Sequence, residues 1–450
     1  MKTLHLAIIT TLAAVLLLHP SVTYAQNPPD LPHQIAPLPP NKIGCYVYTN
    51  KTGWQPTPCA NSSQTGSLGS MGPLPTLNST KRLDIHVGIR TGQIAVNPDT
   101  NIAYVTNIDE NSVSVISGLT NKIVDTIPVG TSPVRLAVNP STNMVYVSNA
   151  NSQSVSVISG DTNSVVATIP VGSDPQSIAI NHRTNMIYVA NWISNTVSVI
   201  DGSANKVVAT LSVCNLWSSD LAVDEPTDTI YVTCTGPEGK LVVISGTTNQ
   251  LAGTISVGRD PDKVALNPNT GMLYTANNGD NTVSVVSAKE NKLVDTISVA
   301  PFPNFVAVNP VTNTIYVTSD SYQNHKLSVI SGETDKVVRT IDVDIGAQNI
   351  AIDSSDNVIY VPNYVAETLS VVSGKANSVI DTIPVGPNPS FIAINNATKT
   401  VYISNFGGTV SVIPFSNLDL QTVPEFSFAV PVLLVGIASG IMSYRMGIRK

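Results

Sequence analysis

Charge is scarce in this sequence. Asp, Glu, Lys and Arg make up 12 % of its 450 residues, and the formal net charge is −7. Phosphate backbones are bound by clustered Lys and Arg, so a generic nucleic-acid binder is excluded. Histidine is scarcer still. Of 6 in all, only His86, His182 and His325 fall within the repeated region described below. They lie in different repeats and in different strand or loop classes, whereas copper and haem sites need ligands close together. The 4 cysteines form no Cys-x-x-Cys, which argues against zinc. Gly-x-Ser-x-Gly, P-loop and EF-hand patterns are absent. Acidic pairs such as Asp109–Glu110 sit in turns, as solvated carboxylates do. These absences leave no metal, no cofactor and no catalytic residue to assign.

Long apolar runs occur only at the two ends. Lys2, the apolar stretch Leu6–Leu18 and the small-residue site Thr23-Tyr-Ala25 read as a signal peptide over residues 1–25. Residues 426–444 carry no charge and are long enough to span a bilayer, and the basic tail 445–450 places the C-terminus in the cytoplasm. The region between is then expected outside the cell, anchored to its surface. Residues 26–82 are rich in Pro, Ser and Gly and read as an exposed linker, with residues 416–425 as a second spacer. Sequons at Asn50, Asn61, Asn78 and Asn396 are glycosylation candidates. An even cysteine count suits an oxidising compartment, and proximity alone suggests the pairs Cys45–Cys59 and Cys214–Cys234.

What fills residues 83–415 is a repeat. Tyrosines recur at 104, 146, 188, 231, 274, 316, 360 and 402, at spacings of 42 to 44 residues. Each unit holds four short runs rich in Val, Ile and Thr, separated by turn residues, which is strand chemistry. A lone four-stranded antiparallel sheet leaves a face unburied, whereas sheets packed radially bury both, so the pattern predicts an all-β propeller. Innermost and third strands number eight each and fourth strands seven. The missing one is at the other end, where Asp84-Ile-His-Val-Gly88 matches Thr126-Ile-Pro-Val-Gly130. Strand 83–88 is therefore expected to pair with Thr409–Pro414 and close a ring of eight blades, with seven as the alternative.

The motif Tyr-Val-x-Asn, preceded by Asn-Pro-x-Thr-Asn from Asn97, Asn139 and Asn309 and followed by Val-Ser-Val-Ile-Ser-Gly, resembles the YVTN family of β-propeller repeat proteins. These occur in archaeal surface-layer proteins and bacterial secreted propellers. Departures are the YVTC of Tyr231–Cys234, the YTAN at Tyr274 and the YVPN at Tyr360. The resemblance implies an extracellular propeller and no particular activity. Pro424-Glu-Phe426 ahead of the apolar span resembles the PEF-type archaeal sorting signals. That likeness implies that a membrane protease-transpeptidase exchanges the span for another anchor; a retained membrane helix is the alternative.

Function is sought where the repeat stops repeating. Loops joining strands one to two and three to four are monotonous Asn, Asp and Gly turns. The opposite face varies. The residue before each innermost-strand centre runs Gln93, Arg135, Ser177, Asp220, Lys263, Phe305, Asn349 and Phe391. The outer loops of that face hold Trp192, Trp217, Tyr322, Tyr364 and Phe406. Arg135, Asp220, Lys263, Phe305, Phe391 and these five aromatics are the partner-binding candidates, since exposed aromatics favour protein or sugar contact. The leading reading is a surface-anchored binding module for an envelope protein or a glycan. A lactonase-like or quinoprotein-like enzyme at the channel mouth is the second, and a structural surface-layer spacer the third. Oligomeric state is left open.

Overall fold

The computed structural model describes residues 46–49, 53–56, 82–321 and 324–414. The chain divides into two compact units, residues 1–76 and 77–450. In the first, Tyr46–Thr49 and Gly53–Pro56 form an antiparallel hairpin, in a segment that the composition marks as linker. The signal peptide, Cys45, Cys59, Asn50, Asn61, Asn78, Tyr322, the spacer 416–425, Pro424, Glu425, Phe426, the apolar span and the basic tail lie outside the described residues. Among the described residues no helix is long and apolar enough to cross a membrane.

The second unit is an eight-bladed β-propeller. Blade 1 is Thr91–Asn97, Ile102–Asn107, Ser112–Ser117 and Lys122–Pro128, hydrogen-bonded in that order. Blades 2 to 7 repeat the plan. Blade 8 takes Pro389–Asn395, Thr400–Asn405 and Thr409–Pro414 from the C-terminal side and its outermost strand, Leu83–His86, from the N-terminal side. Ile85 pairs with Val410, the register that Ile127 has with Val113 in blade 1. The expected closure is what the structure shows.

The repeating tyrosine is the peg between blades. All eight are buried, and Tyr188 of blade 3, for example, packs with Leu221, Ile230 and Val232 of blade 4. Eight such apolar clusters occupy the eight blade junctions. A Gly follows the third strand in six of the eight blades, and at Gly118 and Gly202 it makes room for the peg. A Cβ on Gly202 would lie 2.7 Å from the Tyr146 Oη of the preceding blade.

Asparagines do the polar work. The first Asn of Asn-Pro-x-Thr-Asn reaches the last Asn of the next blade's turn. Asn97 donates to Asn143 at 2.8 Å and Asn139 to Asn185 at 2.8 Å, and Asn395 donates to Asn101 at 2.7 Å across the closure. The accepting Asn sits at positive φ, which Asn tolerates better than other non-glycine residues. The terminal Asn of the tyrosine motif clamps the following hairpin. Asn149 Nδ2 lies 3.2 Å from Ser154 Oγ and 3.0 Å from Ser156 Oγ.

Two departures from the motif have structural consequences. Blade 5 has Gly271 in place of the accepting Asn, so Asp224 of blade 4 has no such link. Gly271 has φ 67 and open space around its missing side chain. Gly271→Asn, whose side-chain amide can donate to the Asp224 carboxylate, is expected to supply a link of the opposite direction and raise stability by about 1 kcal/mol, read from the denaturation midpoint. In blade 7 the expected inner strand around Ile350 is cut to Ala351–Asp353. The register carried one step past Ile350 sets Asn349 opposite Pro362, which has no N–H to donate, and the chain opens there into an irregular segment with Gly346 at φ 90.

Candidate functional site

Antiparallel alternation puts the two-to-three loops and the blade-to-blade loops on one face. Among the described residues, seven large apolar side chains are exposed there: Ile89, Ile193, Leu216, Trp217, Phe302, Ile345 and Val365. The opposite face exposes two, Leu119 and Val311. The remaining exposed ones lie on outermost strands. The asymmetry follows from the loops, because the opposite face is spent on the Asn turns that join the blades.

The face carries two aromatic patches. In the first, Trp192 of blade 3 stacks on Trp217 of the loop into blade 4, with ring centroids 5.1 Å apart and planes inclined by 25°. The loop is held by a disulfide between Cys214 and Cys234, whose Cα atoms are 5.5 Å apart. The staple has a local logic. Cys234 stands where other blades have the clamping Asn, and Cys214 stands where blades 1 and 2 have Gly130 and Gly172, which lie against that Asn. A covalent bond thus replaces a hydrogen-bonded approach and leaves Leu216 and Trp217 fixed but exposed. A shallow pocket lined by Asn215, Leu216, Pro237 and Lys240 opens beside it, at the outer rim and away from the channel.

In the second patch Tyr364 of blade 7 meets Phe406 of blade 8 edge-on, with centroids 6.4 Å apart. Arg90 lies over the Phe406 ring at 5.2 Å. Tyr364 and Phe406 are half-buried, and burial raises the Tyr364 phenol pKa above its ordinary value. Phe302, which the sequence reading passed over, is the residue of this face with the least ordinary backbone. It has φ 58, a conformation seldom held by a bulky side chain, and its ring is 45 % exposed. Ser132, Asp174, Asp260 and Asn388 occupy the same turn position in other blades, and that change of residue type was the available signal.

The channel mouth gathers the charged candidates. Asp220 accepts from Ser177 Oγ at 3.1 Å and from the Val264 amide at 3.3 Å, with Lys263 Nζ at 3.5 Å. Arg135 Nε donates to the Gln176 carbonyl at 3.1 Å, and its guanidinium lies over Phe391 at 4.5 Å. Burial lowers the Arg135 pKa, offset in part by the charge of Asp220. Phe305 is half-buried and packs against the core between blades 6 and 7, as Phe391 does between blades 8 and 1. Beside Lys263, burial pushes the pKa of Asp262 up to about 6. Lys263 draws it down, Asp220 and Asp260 draw it up, and a hydrogen bond from Ser219 draws it down.

A folded-state pKa above the ordinary carboxylate value means that the fold favours the protonated form. Stability is then highest below the unfolded pKa and falls as pH rises towards 6. Asp262→Asn is therefore expected to stabilise the protein at pH 7.5 by about 1–2 kcal/mol and not at pH 4, as thermal unfolding at the two pH values will show.

The fold and this face define a stapled, eight-bladed propeller with a variable apolar surface. A profile of the family described as "Lactonase, 7-bladed beta-propeller" matches residues 57–169, which covers blades 1 and 2 but not most of the chain. No curated protein matches. Solved structures similar to this chain include two that share the fold. The Kuenenia stuttgartiensis hydrazine synthase is 17 % identical with a TM-score of 0.52, covering 72 % of this chain and 96 % of that one. The dihydro-heme d1 dehydrogenase NirN, solved in complex with DHE, is 13 % identical with a TM-score of 0.60, covering 74 % and 76 %. At these identities the likeness concerns the fold alone.

Proposed function

We propose that the protein is an extracellular, surface-anchored propeller of YVTN type that binds a partner in the cell envelope through its loop face. The observation that carries this reading is the seven-to-two imbalance of exposed large apolar residues between the faces. The signal-like start, the sequons and the PEF-like tail support the location. Ile193, Leu216 and Val365 are aliphatic, which favours a protein partner over a glycan. Trp217→Ala combined with Ile193→Ser is expected to cut capture of envelope components by the purified protein at least tenfold. Leu119→Ser combined with Val311→Ser, on the opposite face, is expected to leave it unchanged. Capture that survives the first pair, or is lost with the second, defeats the reading.

A second reading, hydrolysis of lactone-type substrates at the channel mouth, is favoured by the matched profile over residues 57–169 and by Asp262, a carboxyl poised to exchange a proton near neutral pH. Lactone hydrolysis abolished by Asp262→Asn would establish it in place of the first.

A further inference from the structure

We propose that the channel mouth is a binding site for a small monocarboxylate, held by the guanidinium of Arg135. This site is distinct from the loop face and stands or falls without it. The argument rests on an unmatched cation. Arg135 projects from the inner strand of blade 2, its Nε spent on the Gln176 carbonyl and its guanidinium carbon over the ring of Phe391 of blade 8. Its two Nη groups have no protein acceptor among the described residues. The nearest charge that acts on it is Asp220, whose oxygens are already engaged by Ser177, Lys263 and the Val264 amide. The half-buried guanidinium, held by the Gln176 carbonyl and the Phe391 ring, therefore keeps its two Nη donors available, and that fork fits a carboxylate in bidentate fashion.

The surrounding charges select the ligand's own charge. Arg135 and Lys263 balance the ionised Asp220 and Asp262, so protonating Asp262 leaves the mouth with one net positive charge, which a monoanion neutralises and a dianion such as sulfate overshoots. The aromatic ring of Phe391 beneath the guanidinium gives the ligand's apolar part a wall.

The balance also shifts with pH. Asp262 faces Lys263, Asp220, Asp260 and the Ser219 hydroxyl, and it takes up a proton near pH 6. Below that pH the mouth gains one net positive charge while a ligand such as lactate stays ionised.

The test is calorimetric titration of lactate, benzoate and sulfate into the whole protein at pH 5 and pH 7.5. At least one of the two carboxylates should bind, better than sulfate, and several-fold more tightly at pH 5. Arg135→Gln should abolish the binding, and Arg135→Lys, which keeps the charge but not the fork, should weaken it at least tenfold. Asp262→Asn should remove the pH difference. The proposal is overturned if neither carboxylate binds the wild-type protein, if sulfate binds better, or if Arg135→Lys binds as tightly as the wild type.

Discussion

Ile85→Asp is expected to destabilise the propeller by about 4 kcal/mol or more, through a lost apolar contact and a charge placed in an apolar cluster. Ile85 is the closing strand's peg, buried with Val87 against Ile94, Tyr402 and Val410. Four ladder pairs, Leu83 with Val412 to His86 with Thr409, join the ends of the ring, and the Val87 amide adds a bond to the Gly408 carbonyl at 3.0 Å. Side chains reinforce them. Ser411 donates to Asp84 at 2.7 Å, Thr91 to the Asn405 carbonyl at 2.7 Å and Ser404 to the Gly92 carbonyl at 2.7 Å. Removing the peg exposes the edge of Thr409–Pro414 and unseats blade 8 from blade 1. The same change at Ile123, on the exposed outermost strand of blade 1, is expected to cost less than about 0.5 kcal/mol. Urea denaturation of both variants checks the contrast. Equal midpoints would mean that the closing strand contributes little.

Opening the Cys214–Cys234 staple is expected to cost about 3 kcal/mol, the scale for a closed loop of this size. Cys214→Ser with Cys234→Ser removes the bond without reductant. A second consequence follows from the loop it holds. Trp217 lies three residues beyond Cys214, and its stacking on Trp192 needs that loop in place. The double variant should therefore lose partner capture as well as stability. Asn at position 234 with Gly at 214, the pairing found in blade 3, is expected to regain part of the stability through the hydrogen-bonded clamp. Differential scanning calorimetry of the three proteins reads both steps.

Much of this was legible before any coordinates. The tyrosine period gives the blades, and the orphan strand Asp84–Gly88 gives the closure, because a frame repeated eight times states its own register. The disulfide partners were close in sequence, and their deeper signal is that both replace frame residues of the same junction. Other features depend on what packs across a junction rather than on local pattern. Pro362 reads as a tolerated variant of the motif, but its missing donor matters only because residue 362 faces the inner strand. Asp262 looks like one more turn-side acid, and its perturbation arises from the channel wall and from Asp220, 42 positions earlier. Phe302 is conspicuous only once its backbone is seen to be left-handed. Of the candidates, Arg135, Asp220, Lys263 and Phe391 do converge at the mouth. Trp192 joins Trp217 and Tyr364 joins Phe406, while Phe305 stays half-buried at the junction of blades 6 and 7.

The claim that one face of the ring meets the partner is tested most directly by site-specific photo-cross-linking on intact cells. A cross-linker at position 193, on the loop face, is predicted to give a discrete adduct, and one at position 119, on the opposite face, none. An adduct from position 119 with none from 193 would contradict the account.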